Sequence, residues 1–157
     1  MEKRESTRHS AGAGRGFLLV AAVVALGGCC LLGAPGSGKG TQAEFLAASL
    51  GVPAISTGAM LRDAVAHGSA LGSKVEGIMA CGGLVDDALM AEVVRERLGR
   101  PDAAGGFLLD GYPRTTGQAA MLDSILAERE EQLDAVLLLE VPEAVLVERA
   151  VARKRAD

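Results

Sequence analysis

The sequence predicts an α/β fold in which a parallel sheet is covered by helices and built around a phosphate-binding loop. Three observations predict it. An apolar run that reads as a strand, Cys29 to Leu32, leads through Gly33-Ala-Pro-Gly-Ser-Gly-Lys-Gly-Thr41 into a segment of helical character, Lys39 to Leu50. Further short apolar runs alternate with segments of helical periodicity, the pattern of strand–helix–strand units. Those runs are apolar at successive positions, as strands buried on both faces require.

The 157 residues suit one domain of ordinary size with a real core. A net charge of -4 and the lack of a basic stripe interleaved with aromatics exclude a general nucleic-acid binder. Cys29, Cys30 and Cys81 form neither a disulfide framework nor a metal-ligand spacing. They read as small buried apolar residues, which fits a reducing compartment.

Met1 to Arg15 is polar and mixed in charge, and reads as disordered. Phe17 to Leu26 is continuously apolar and runs through Gly27-Gly28 towards the first strand, so residues 1–28 read as an extension. Basic residues before a short apolar run resemble a secretory signal, and Leu26-Gly-Gly-Cys29 resembles a lipoprotein cleavage site. Cleavage there would cut into the strand that feeds the phosphate loop. The run from Phe17 to Leu32 is also short of the roughly 20 apolar residues of a membrane span. The expectation is a cytoplasmic protein, with organelle import or membrane attachment through residues 17–26 as the alternative.

The elements follow in order. Lys39 to Leu50 turns Ala43, Leu46, Ala47 and Leu50 inward at helical spacing, and Gly51 stops it. Val52 to Ser56 is a short strand, and Ser56-Thr57-Gly58 opens a helix through Arg62 to His67, closed by Gly68. Ser69 caps the next helix, with Leu71, Val75, Ile78 and Met79 inward and Gly82 as its stop. Asp86 caps another, with Leu89, Met90, Val93 and Val94 inward and Arg95, Glu96 and Arg97 in water. Arg100 to Gly105 reads as a loop. Phe107 to Leu109 is a strand ending in Asp110, followed by the turn Gly111-Tyr-Pro-Arg114. A helix from about Gly117 to Glu131 carries the stripe Met121, Leu122, Ile125 and Leu126. Ala135 to Val141 is the next strand, and Pro142 starts the last helix.

In such sheets a ligand sits outside the carboxyl ends of the strands. The phosphate loop, Thr57, Asp110 and the turn to Arg114 all fall at strand ends. The glycines of the loop let the backbone aim several N–H groups at one anion, and the helix that follows adds positive potential there. Lys39 is spaced to reach the outer phosphates and Thr41 to face a magnesium ion, one place later than the general pattern puts the hydroxyl. A carboxylate beside a phosphate loop, Asp110, makes sense mainly with a metal. His9 and His67 belong to no motif.

Four blocks, in this order, resemble the adenylate kinase family of nucleoside monophosphate kinases: Gly33-Ala-Pro-Gly-Ser-Gly-Lys-Gly-Thr-Gln42, Ile55-Ser-Thr-Gly-Ala-Met-Leu-Arg62, Gly82-Gly-Leu-Val-Asp-Asp87 and Gly106-Phe-Leu-Leu-Asp-Gly-Tyr-Pro-Arg-Thr115. The resemblance runs from about Cys29 to the end of the sequence. It implies a P-loop NTPase-type fold with a small helical AMP-binding insertion at about residues 57–97. It also implies reversible phosphoryl transfer from magnesium-ATP to AMP, giving two ADP. By resemblance, Gly36, Ser37, Gly38, Lys39, Gly40 and Thr41 bind ATP, with Lys39 also counted as catalytic. Arg62 and Arg114 clamp the AMP phosphate, Arg114 acting in catalysis as well. Thr57, Val85, Gly111 and Gln118 complete the AMP pocket, while Thr41 and, through water, Asp110 serve the magnesium ion. Arg149 and Arg153, four apart on one helix, reach the ATP side as catalytic residues. For that last pair a solvated helix end, in a run with Lys154 and Arg155, is the rival reading.

The sequence departs from the family in two places. Ala59 stands where the family usually has an aspartate that would help cap its helix and support the magnesium water network. The sequence also ends at Asp157, about where the family's mobile lid begins. The resemblance therefore implies a C-terminally truncated chain without the last strand and lid, with Ala135 to Val141 left as a sheet edge and activity weak. Completed, such a protein would be a monomer acting on ATP and AMP. A kinase of UMP or CMP, and a truncated nucleotide-binding remnant with little turnover, are the alternatives.

Overall fold

The structure, a computed structural model, describes residues 27–154. The expectations for residues 1–26, including the apolar run 17–26, lie outside the described residues. In chain order the elements are β1 (Gly28–Gly33), α1 (Lys39–Leu50), β2 (Ala54–Ser56), α2 (Thr57–Ala66), α3 (Ala70–Ala80), α4 (Asp87–Leu98), β3 (Phe107–Asp110), α5 (Thr116–Glu128), β4 (Ala135–Leu139) and α6 (Glu143–Lys154). The four strands pair in parallel in the order β2-β3-β1-β4. Their carboxyl ends therefore share one edge, and the segments that leave them meet there.

The strand pleat sends successive side chains to opposite faces, so each of β1 and β3 feeds two cores. Cys30, Ile55, Phe107 and Leu109 pack with Val94 and Leu98 of α4 and Leu122, Ile125 and Leu126 of α5. Cys29, Leu31 and Leu108 face the other way, onto Ala43 of α1. Burying each large side chain here contributes roughly 1.5–3 kcal/mol. β1 and β3 have the two-faced burial that their unbroken apolar runs predict. β4 does not: Ala135, Leu137 and Leu139 are half-buried, while Val136 and Leu138 are 56% and 62% exposed. The pleat explains this: Ala135, Leu137 and Leu139 pack on the α1 face, while Val136, level with Cys30, and Leu138 stand on the other, where α4 and α5 cover β1 and β3 but leave the edge strand open.

Side chains cap four helices. Ser69 Oγ accepts from the Gly72 N–H at 3.0 Å, and Asp86 Oδ1 from the Leu89 N–H at 2.8 Å, as expected. Thr115 Oγ1 accepts from the Gln118 N–H at 3.1 Å, and Ser56 Oγ from the Ala59 N–H at 3.2 Å. Helix α2 thus has its cap without a carboxylate at position 59. Between β2 and β3, α2 and α3 pack with almost nothing between them. A Cβ on Gly72 would overlap the carbonyl oxygen of Ala64 and stand 2.8 Å from its carbonyl carbon. Only glycine permits that approach.

Several expectations are corrected. β2 begins at Ala54 rather than Val52, because the Val52 N–H turns back to the Ala47 carbonyl and closes the end of α1. α5 stops at Glu128, where the Arg129 and Glu130 N–H groups bond back into its last turn. Pro101–Ala103 forms a 3-10 turn inside the expected loop. Met79 is 45% exposed although it lies one turn on from Val75, because it stands in the last turn of α3, and Cys81, the residue that ends this helix, is exposed. Arg97 is not in water. It is buried and forks onto Asp102, with N–O distances of 2.9 and 2.7 Å. That bidentate pair holds the Asp102 carboxyl below the usual carboxylate range.

Candidate nucleotide site

The residues after β1 form a tight loop. Gly38 stands at φ 94° and ψ 14° at the start of α1, a left-handed conformation that a side chain would strain. It offers no side-chain cap. The first-turn N–H groups of α1, which no helix can satisfy internally, are thus left for an anion. Lys39 curls over the loop, its Nζ donating to the carbonyls of Gly33 at 2.8 Å and Ala34 at 2.9 Å. Gly36 and Gly38 are half-buried, and Gly40 and Thr41 are exposed. Ser37 is buried, its N–H bonded to the Ala34 carbonyl at 3.1 Å. Its Oγ is the one buried side-chain polar atom without a partner among the described residues.

The end of β3 faces this loop. Asp110 Oδ2 lies 3.8 Å from where a Cβ on Gly40 would stand, and it has no hydrogen bond among the described residues. The Gly111 N–H bonds to the Leu31 carbonyl at 3.1 Å and fixes the turn against β1. Arg114 Nε donates to the Gly111 carbonyl at 2.7 Å, and its Nη2 to Thr57 Oγ1 at 3.1 Å, which joins the ends of β2 and β3. Tyr112 is fully buried behind the turn; its burial, then the nearby charge of Asp87, raises its hydroxyl pKa. Leu32, Gly33, Pro35, Lys39, Gly111, Pro113 and Arg114 line one cleft of ≈ 450 Å³. Two cations and no carboxylate face into it. A larger hollow of ≈ 560 Å³ at Ser73, Lys74, Gly77, Ile78, Cys81, Gly83 and Leu89 is walled mainly by apolar atoms. It has no comparable convergence of charge.

Helix α6 crosses to the loop, where Arg149 Nη1 donates to the Gly36 carbonyl at 3.0 Å, a contact spanning 113 residues. The backbone of Arg153 lies one turn further along α6; its side chain is outside what is described. Arg62 is not drawn to Arg114. It is exposed and folds back along α2, its Nη1 3.2 Å from the place of a Cβ on Gly58. Val85 is half-buried and packs against the larger core.

Gln118 has more partners than an exposed first-turn residue needs. Its Oε1 accepts from the Arg114 N–H at 2.8 Å, and its Nε2 donates to Asp87 Oδ1 at 2.7 Å. Asp87 Oδ2 also accepts from Thr115 Oγ1 at 3.2 Å. The sequence marks Asp86 as a helix cap and Asp87 as nothing in particular. The only local signal is the acidic pair itself, since Gln118 lies 31 residues further on.

Of the two residues that the resemblance gives to a magnesium ion, the hydroxyl of Thr41 stands exposed in the first turn of α1 and the carboxylate of Asp110 at the end of β3. No cluster of three or more histidine, cysteine or acidic residues suited to a metal occurs among the described residues. Oxygen donors in that small number fit an ion that keeps its waters and is held chiefly by substrate phosphates. Among the described residues no helix is long and apolar enough to cross a membrane.

Residues 31–156 match the family described as adenylate kinase. The chain is 52% identical over 124 residues to an adenylate kinase of Gloeobacter violaceus, covering 79% of this chain and 56% of that protein. It is 55% identical over 124 residues to one from Anaeromyxobacter sp., covering 79% and 58%. With adenylate kinase 1 of Synechocystis sp. it shares 52% identity over 130 residues, covering 83% of this chain and 70% of that one. The chain thus spans 56–58% of the length of the first two of these relatives. With the match over residues 31–156 and identities of this order, the chain belongs to the adenylate kinase family.

Proposed function

We propose that this chain carries the nucleotide sites of an adenylate kinase, which moves a phosphoryl group reversibly from magnesium-ATP to AMP and yields two ADP. The observation that carries this reading is the ≈ 450 Å³ cleft in which Lys39 and Arg114 converge with no carboxylate in its lining. Phosphoryl transfer asks little covalent chemistry of a protein. It needs two polyanions held in line, their charge offset and water kept out.

In this reading the loop from Gly36 to Thr41 cradles the ATP phosphates on backbone N–H groups. Lys39 exchanges two carbonyl partners for phosphate oxygens, and Arg149, already at the Gly36 carbonyl, extends the cationic wall. Arg114 holds the AMP phosphate with the planar fork that suits it. Arg62 joins it by swinging off α2, and Arg153 joins Arg149 from the next turn of α6. Thr57, Val85, Gly111 and Gln118 line the AMP base and ribose, so α2 to α4, residues 57–97, act as the AMP-binding insertion on a core of residues 29–157. Thr41 and, through water, Asp110 would hold a magnesium ion, which would supply charge neutralisation. A cytoplasmic location goes with these substrates. Relatives at about 50% identity that are adenylate kinases favour AMP over UMP or CMP as acceptor.

Calorimetric titration of the chain and its Lys39→Ala variant with ATP tests the reading, beside a coupled assay for ADP. Loss of a charge-assisted contact lowers ATP affinity about 10- to 100-fold, with the fold unchanged. Equal affinity in both proteins overturns the assignment of the loop. ATP and AMP binding without ADP formation identifies a binder rather than a kinase.

A further inference from the structure

The side-chain amide of Gln118 is held at both ends by groups that each admit one partner type. A carboxylate oxygen, Asp87 Oδ1, only accepts, and a backbone N–H, that of Arg114, only donates. One orientation of the amide satisfies both. Rotated by half a turn, it would set Oε1 against the carboxylate and Nε2 against the N–H, two repulsions in place of two hydrogen bonds. Asp87 is itself steadied, its other oxygen accepting from Thr115 Oγ1, which caps α5 by accepting from the Gln118 N–H. An amide offers two donor hydrogens and two acceptor lone pairs. Each end of Gln118 therefore has one valence left, in a fixed order.

We propose that Asp87 is a specificity-determining positioning residue: by locking the Gln118 amide it selects a 6-aminopurine over a 6-oxopurine. This rests on the reading that Gln118 faces the base of AMP. Adenine presents a ring acceptor beside an exocyclic amino donor, which the locked N–H and C=O meet in that order. Guanine and hypoxanthine present a ring N–H beside a carbonyl oxygen, the exchanged pattern, which only a rotated amide can meet. Asp87 touches no nucleotide in this scheme and acts through Gln118. A site whose polar groups are left facing like groups rejects the wrong ligand strongly.

Titration of the wild-type chain and the Asp87→Asn and Asp87→Glu variants with AMP and GMP, by calorimetry, tests it, with thermal melts confirming each fold. An asparagine at 87 can rotate to donate to a rotated Gln118, which turns one of the two repulsions into a hydrogen bond and leaves only that against the Arg114 N–H. The AMP-to-GMP affinity ratio then falls by about tenfold or more, chiefly through tighter GMP binding. Asp87→Glu keeps an acceptor and retains the preference for AMP. If Asp87 only fastened α4 to α5, both nucleotides would weaken together, so an unchanged ratio in a folded Asp87→Asn variant overturns the proposal. A measurement on the wild type stands apart from any variant's folding. In the NMR spectrum of labelled chain, the Gln118 Nε2 proton bound to Asp87 stays in place as AMP is added while its partner proton shifts. Movement of the Asp87-bound proton instead shows that the ligand releases the lock, and overturns it. If the wild-type chain binds no AMP, the base-pocket reading falls and the lock with it. A preference for AMP that survives Asp87→Asn leaves that reading standing and removes only the lock.

Discussion

Arg97 fastens α4 to the 3-10 turn that follows it. Its place beside Arg95 and Glu96 on α4 suggests a solvated face, yet it is buried and paired with Asp102. The partner sits in a 3-10 turn that no periodicity announces. Asp102 is lowered from its usual pKa first by the hydrogen bonds from Arg97. A carboxylate with a depressed folded pKa stabilises fully above its unfolded pKa, and the contribution is lost as pH falls through the folded value. Asp102→Asn should therefore cost about 1.5 kcal/mol at neutral pH, the low end for a charged hydrogen bond because Asp102 is half exposed. Denaturant unfolding checks it, and the gap between the two proteins should close below the usual carboxylate range. Asp63, with Oδ2 at 4.0 Å from Arg97 Nε, moderates the loss.

At the scale of elements, α2 and α3 are joined by backbone rather than side chains. Gly72→Ala forces a methyl into the Ala64 carbonyl, and overpacking against main chain should destabilise by about 3 kcal/mol. Gly77, on the same helix, meets nothing within 4 Å, so Gly77→Ala should stabilise by about 1 kcal/mol through helix propensity alone. Thermal melts of the two variants, moving in opposite directions, would separate packing from propensity. The sequence announces α2 through Ser56-Thr57-Gly58 and α3 through Ser69 and the spacing to Val75, because caps and repeats are local. It does not announce which glycine lies at the crossing, since that depends on where a second helix passes.

For the whole molecule, the strand–loop–helix at Gly28 to Leu50 and the strand ends at Asp110 and Thr57 are readable in advance. A parallel sheet obliges such ends to share an edge. The engagement of Gln118 with Asp87 is not readable, because it depends on which elements become neighbours; the edge position of β4, where Val136 and Leu138 are exposed, follows from the resemblance and not from its apolar run. Burial also sorts the thiols. Cys29 and Cys30 lie in β1, the Cys30 thiol pushed up to about 12 by desolvation first, while Cys81 is exposed. Alkylation at mildly alkaline pH should label one of the three cysteines in the native chain and all three in denaturant, read by mass spectrometry. Rapid native labelling of Cys30 would contradict the packing of β1 between β3 and β4.

The contact of Arg149 with the Gly36 carbonyl ties α6 to a loop 113 residues away. From Val147 to Ala150 the helix is exposed, so few other contacts hold this stretch down. Amides in such a helix exchange with solvent through local opening, and each opening breaks the tie. A polyanion that bridges the loop and Arg149 must be released before α6 can open. At a hundredfold excess over its Kd it would add up to about 2.7 kcal/mol to the opening free energy, slowing exchange roughly 100-fold. Amides of β1 exchange by a deeper route. Deuterium uptake in α6 would thus register occupancy of a loop at the other end of the sequence, making the helix a gauge of whether an anion sits there.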